Sequence, residues 1–83
     1  MLLSAELTLY PLKDDYLEAI KDTIAKLNTF EGIKVQTFPS ATIVMGEYDS
    51  VMNLINTIVK WSYETHGRCV FLVKFLPEYE ALA

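Results

Sequence analysis

The chain has 83 residues, 52% of them hydrophobic and 22% charged, with a formal net charge of −4. That is enough apolar matter for one packed domain, spanning 1–83 with a core from about 3 to 76, and it excludes a disordered chain. Seven Lys and Arg face 11 Asp and Glu and cluster nowhere, which excludes the basic surface that nucleic-acid binding requires; one cysteine excludes a disulfide framework.

The opening run meets a charge at Glu6, too soon for a signal peptide or a membrane span, so a cytoplasmic protein without membrane contact is expected. Leu3, Ala5, Leu7 and Leu9 alternate with Ser4, Glu6, Thr8 and Tyr10, a period of two that predicts a half-buried strand stopped by Pro11. Asp15 with Glu18 three residues on predicts a capped helix. Leu17, Ile20, Ile24 and Leu27 are its core stripe, and Asp22 and Lys26 can pair on its outer face. Ile33–Phe38 and Ala41–Glu47 predict a hairpin across Pro39-Ser40, and Gly46 suits a strand end or a close approach by another group. Asp49 caps a second helix with Val51, Leu54, Ile55, Ile58, Val59 and Ser62 on its core face, ended at His66 by Gly67 in the left-handed conformation. Cys69 to Leu76 is a strand apolar on both faces apart from Lys74, and the tail from Pro77 is loose or a short helix.

The order strand, helix, strand, strand, helix, strand predicts an α+β ferredoxin-like βαββαβ sandwich, a four-stranded antiparallel sheet with both helices on one face. The other face lacks a covering element, yet Tyr10, Phe38, Leu72 and Leu76 or their neighbours point there. A second copy is the economical cover, which predicts a homo-oligomer, dimer or tetramer, with pockets between subunits.

Catalytic constellations are missing. His66 is the only histidine, so metal-site donors are too few, and no serine has a plausible base. Three glycines build no phosphate loop. The polar residues of adjacent strands, Glu6 and Thr8, Gln36 and Thr37, Thr42 and Glu47, are either ordinary solvent-facing positions or the polar groups of a binding pocket. An acid–base pair of Glu6 and Glu47 would need a geometry that the sequence does not specify. A non-enzymatic domain that needs no cofactor is therefore expected. A regulatory or adaptor module binding another protein through the open sheet face is the alternative.

Ser4-Ala5-Glu6-Leu7-Thr8-Leu9-Tyr10-Pro11-Leu12 followed by Tyr16, then Val35-Gln36-Thr37, Thr42-x-Val44-x-Gly46-Glu47-Tyr48-Asp49 and Val70-Phe71-x-Val73-Lys74-Phe75, resembles the YkoF-type thiamin/hydroxymethylpyrimidine-binding proteins of the thiamine-binding superfamily. The resemblance implies a non-enzymatic binder of thiamin or its pyrimidine moiety, acting in salvage, transport or sensing. It implies that Glu6 or Glu47 meets the exocyclic amine or the cation, and that Thr37 and Thr42 meet ring nitrogens. Tyr10, Phe38 or Tyr48 would stack on a ring, and Thr8 and Gln36 would complete the ligand-binding set. YkoF-type proteins carry two such domains in tandem; one domain here implies that two chains assemble to replace the pair.

Overall fold

The computed structural model describes all 83 residues. The alternation in the first segment forms β1 (Leu2–Pro11), and the remaining elements are α1 (Tyr16–Leu27), β2 (Lys34–Thr37), β3 (Thr42–Glu47), α2 (Tyr48–His66) and β4 (Cys69–Pro77). The strands form one antiparallel sheet in the order β2-β3-β1-β4. This is the expected α+β ferredoxin-like arrangement, with β1 and β3 central and β2 and β4 as edges.

Register decides which side chains share a face. Leu3, Ala5 and Leu7 of β1 lie opposite Gly46, Val44 and Thr42 of β3. Ala5, Leu7 and Leu9 lie opposite Phe75, Val73 and Phe71 of β4. This face meets the helices, and Leu3, Ala5, Leu7 and Val44 close a core with Leu27 of α1 and Val51, Leu54 and Ile58 of α2. Gly46 is fitted to that packing: a Cβ there would stand 3.3 Å from the Gly32 carbonyl oxygen and 3.4 Å from Ile33 Cγ1. The close approach, rather than a simple strand end, explains the glycine.

Several local expectations yield to tertiary contacts. Asp15 precedes α1 with ψ at 51° and makes no side-chain cap, so the box with Glu18 does not form. Asp22 does not pair with Lys26; its carboxylate bonds His66 Nε2 at 2.7 Å, and the Lys26 ammonium sits 5.8 Å from the Trp61 ring centre. The end of α2 is thereby held to α1 through His66. Helix α2 is capped by Glu47 and not Asp49: the Glu47 carboxylate accepts the Asp49 N–H at 2.8 Å. Gly67 does take a positive φ of 83°, but with ψ at −153° it is extended rather than left-handed helical. Both are conformations that glycine reaches without steric cost.

The tail does not hang free. The Glu78 N–H donates to the Leu2 carbonyl, the Ser4 hydroxyl donates to the Tyr79 carbonyl at 2.5 Å, and it accepts the Ala81 N–H at 3.2 Å. Ser4, Met45 and Leu76 share the face away from the helices, and Ser4 is fully buried there. The tail thus covers one end of the face expected to be bare. Toward the other end Tyr10, Val70 and Leu72 remain about half exposed.

Candidate functional site

Helix α1 carries an apolar stripe that is not consumed by the core. Its buried residues are the small Ala19 and Thr23 together with Leu27, and the Thr23 hydroxyl is spent internally on the Ala19 carbonyl at 2.8 Å. Ile20 and Ile24 are only partly covered, and Leu17 is 56% exposed. These three form one wall of a cleft of about 700 Å³ at the C-terminal end of β1. Leu7 and Leu9 of β1 and Phe71 of β4 face it from the sheet, and the turn from Phe38 to Ala41 closes a side. Its volume falls within the range of small-molecule sites, which are mostly apolar with a few placed polar groups.

The polar groups are chiefly hydroxyls. Thr37 and Thr42, opposite one another across β2 and β3, bring their Oγ1 atoms to 3.1 Å. Thr42 is buried while Thr37 is exposed. A pair of hydroxyls that share one hydrogen leave a second O–H free to donate, and lone pairs free to accept. The Thr8 hydroxyl donates to the Ser40 carbonyl at 3.2 Å, fastening the hairpin turn to β1 at the cleft edge. Tyr10 and Tyr16 line the cleft as well, and Lys21 is the one formally charged lining residue.

The structure divides the residues singled out from the sequence. Thr8, Tyr10, Thr37, Phe38 and Thr42 come together in this cleft. Glu6 and Gln36 flank Ile43 on the opposite face of the sheet, where Glu6 pairs with Lys74 at 3.7 Å. Glu47 and Tyr48 stand at the far end of β3, where Glu47 caps α2 and lies 3.6 Å from the terminal amine. The Asp49 N–H, the Ser50 N–H and the amine together hold the Glu47 carboxyl below the usual glutamate range, outweighing desolvation. Glu47 is thus a structural anion. Glu6 faces Ile43, four positions along β3 from Glu47, or about 13 Å at strand rise. The two carboxylates do not form a pair.

Reading the sequence for sites passed over Leu9, Tyr16, Ile20, Lys21, Ile24 and Phe71 as lining residues. One signal was available. Leu17, Ile20 and Ile24 alternate with the small Ala19 and Thr23, and it is these small residues, with Leu27, that α1 buries, so the larger ones are left partly uncovered at the cleft. No three His, Cys, Asp or Glu side chains gather to hold a metal ion. Cys69, half-buried, lies with its Sγ 3.6 Å from the Ser62 hydroxyl.

A small ferredoxin-like sandwich with a ligand-sized cleft between its first helix and its sheet is the class that this geometry defines. The chain belongs to the YkoF-related family, whose sequence profile matches residues 3–75. Among solved structures it is similar to a Streptococcus pneumoniae protein at 24% identity and TM-score 0.85, over 99% of this chain and 93% of that one. It is also similar to a candidate thiamine biosynthesis/salvage protein of Thermotoga maritima, at 22% identity and TM-score 0.80, over 90% and 82% of the two chains. A hypothetical protein of Methanocaldococcus jannaschii follows at 18% identity and TM-score 0.78, over 95% and 82%. Identities this low establish the shared fold. No curated protein sequence matches the chain, and no helix is long and apolar enough to cross a membrane.

Proposed function

We propose that the chain binds thiamin or its hydroxymethylpyrimidine moiety in the cleft between α1 and the sheet, without turning it over. One observation carries the reading: the Thr37–Thr42 hydroxyl pair stands in a mostly apolar cleft of about 700 Å³ with aromatic side chains around it. An aminopyrimidine asks for that combination, a flat apolar slot with donors and acceptors at its edge. Membership of the YkoF-related family and likeness to the Thermotoga maritima protein point to the same vitamin.

The pyrimidine ring enters between Ile20, Ile24 and Leu9, with Tyr16, Phe38 or Phe71 available to stack on it and the Thr42 hydroxyl reaching a ring nitrogen. Lys21 repels a cation, so the thiazolium of thiamin stays at the open mouth near Tyr10. Hydroxyls and one lysine offer binding rather than paired acid–base chemistry. The role is in salvage, transport or sensing, carried out by a homo-oligomer of this chain.

Calorimetric titration with hydroxymethylpyrimidine and with thiamin tests this. Saturable binding of one ligand per chain is expected, abolished in an Ile24→Trp variant that fills the slot, with ligand recovered chemically unchanged. Absence of heat and of thermal stabilisation with either ligand would refute it. Exposed Tyr10, Val70 and Leu72 would then favour the adaptor reading, in which this face holds another protein.

A further inference from the structure

We propose that β4 is a self-pairing edge: two copies of this chain join β4 to β4 antiparallel about a two-fold axis at Val73, merging their sheets into one of eight strands. The argument begins with which way the backbone of β4 points. The Leu12 N–H donates to the Arg68 carbonyl at 3.1 Å, and the Glu78 N–H donates to the Leu2 carbonyl at 2.8 Å. Both contacts continue the register of β1 with β4 beyond its two ends. Hydrogen-bonded positions alternate along an antiparallel ladder. The even-numbered residues of β4 therefore turn their N–H and C=O groups toward β1, and Cys69, Phe71, Val73 and Phe75 turn theirs to the vacant side.

That vacant side is the outer edge of the sheet. Nine residues long and rich in apolar side chains, β4 lacks the devices that normally protect an edge, whereas β2 at the other edge is only four residues with Lys34 at its start. Lys74, the one charged residue of β4, is turned onto the open face and paired with Glu6. Val70, Leu72 and Phe75 are 48%, 53% and 44% exposed. Pro77, which has no N–H to offer, falls at the last outward position, where its loss costs least.

Charge selects both the partner and the register. With Val73 opposite Val73 of the second copy, Phe71 meets Phe75, Cys69 meets Pro77, and Arg68 stands opposite Glu78, twice by symmetry. Arg68 is exposed and has no ion pair within its own chain. Glu78, also exposed, uses one carboxylate oxygen on the Leu2 N–H and keeps the other. Moving the axis to residue 74 would set Lys74 against Lys74, and moving it to 72 would strand Arg68 opposite Leu76. Like charges directly opposite destabilise a strand pair. Because Phe71 also lines the cleft, Phe75 of the second copy stands beside the cleft wall and braces it.

Light scattering after size exclusion, over a dilution series, tests the pairing. Arg68→Glu and Glu78→Arg should each weaken the dimer, by about tenfold or more since each reversal acts at two symmetric contacts. The double variant should restore it, which a merely structural role for either residue would not produce. In a Cys69→Ser background, Val73→Cys should cross-link to its own copy on oxidation, because a hydrogen-bonded strand pair holds opposing Cα atoms at about 5.5 Å, within disulfide reach. A monomer throughout the series would overturn the proposal. So would a dimer that ignores both reversals and forms no Val73 cross-link. Either result leaves ligand binding to be judged separately, since the cleft is lined by one chain.

Discussion

The threonine pair at the cleft predicts an asymmetry that surface exposure alone would get backwards. Thr42 is buried, at 6% exposure, and its hydroxyl has Thr37 as its protein partner at 3.1 Å; Thr37 is open to water. Thr37→Val removes the exposed partner but strands a buried hydroxyl, a desolvation cost of about 1–3 kcal/mol. Thr42→Val removes the buried hydroxyl and leaves the other to water. Its cost should stay below about 0.5 kcal/mol, because an apolar group of the same shape in a buried strand position is nearly neutral. In a domain of this size each kcal/mol moves the melting temperature by roughly 4–8 °C. Thermal melts should therefore show Thr37→Val falling by about 4–24 °C and Thr42→Val by less than about 4 °C. Affinity should follow the opposite order. Losing the buried hydroxyl that meets the pyrimidine should weaken binding by about tenfold, worth ~1.4 kcal/mol, while Thr37→Val binds within a few-fold of the parent. Equal losses of stability would refute the hydroxyl accounting. Unchanged hydroxymethylpyrimidine affinity in a folded Thr42→Val protein would remove Thr42 from the site.

Three further outcomes follow from contacts elsewhere. Ser4→Ala deletes a hydroxyl that binds both the Tyr79 carbonyl and the Ala81 N–H; it should cost about 1–2 kcal/mol and release the tail, seen as loss of hydrogen-exchange protection at Ala81. His66→Ala unties α2 from Asp22 of α1; a loss of about 0.5–1.5 kcal/mol is expected, with a change in Trp61 fluorescence because the two rings lie edge to face at 5.8 Å. Glu47 binds its proton more weakly in the folded chain than unfolded. Its contribution is therefore complete at neutral pH and fades as acid takes the carboxyl through its lowered range. Denaturation curves of the parent and Glu47→Ala should be separated near pH 7 and converge in strong acid; a constant gap would show that the cap owes nothing to charge.

Much of this molecule is legible without coordinates, and for a local reason. The alternation of Leu3, Ala5, Leu7 and Leu9, the stripe of Val51, Leu54 and Ile58, and the breaks at Pro11 and Gly67 report periodicities that the backbone itself imposes. Element order then follows, and with it the ferredoxin-like topology, since few connections of that order are sterically allowed. The family too is readable, because the segments that carry it are contiguous runs. Groups that meet across the fold are another matter. Asp22 and His66 are 44 residues apart, and nothing local shows that His66 is a better partner than Lys26 one turn away.

The site shows the same division. Thr37, Phe38 and Thr42 were accessible because a tight hairpin fixes them against one another, and Tyr10 and Thr8 because they end the neighbouring strand. Gln36 was separated from Thr37 by the pleat, since adjacent positions on a strand face opposite ways. Glu6 shares its face with Thr8 and Tyr10, but it lies nearer the middle of β1, opposite Ile43 and Lys74 and away from the hairpin turn that Thr8 meets. Glu47 went to the N-terminus of α2, whose unpaired N–H groups attract a carboxylate. Above all, the sequence determines that α1 has an apolar stripe; the way α1 docks on the sheet decides whether that stripe closes into core or stands open as a cleft. Here α1 buries Ala19, Thr23 and Leu27, Asp22 is tied to His66 of α2, and the hairpin turn is held to Thr8. The docking is a balance of packing among elements distant in the chain, which no single segment encodes.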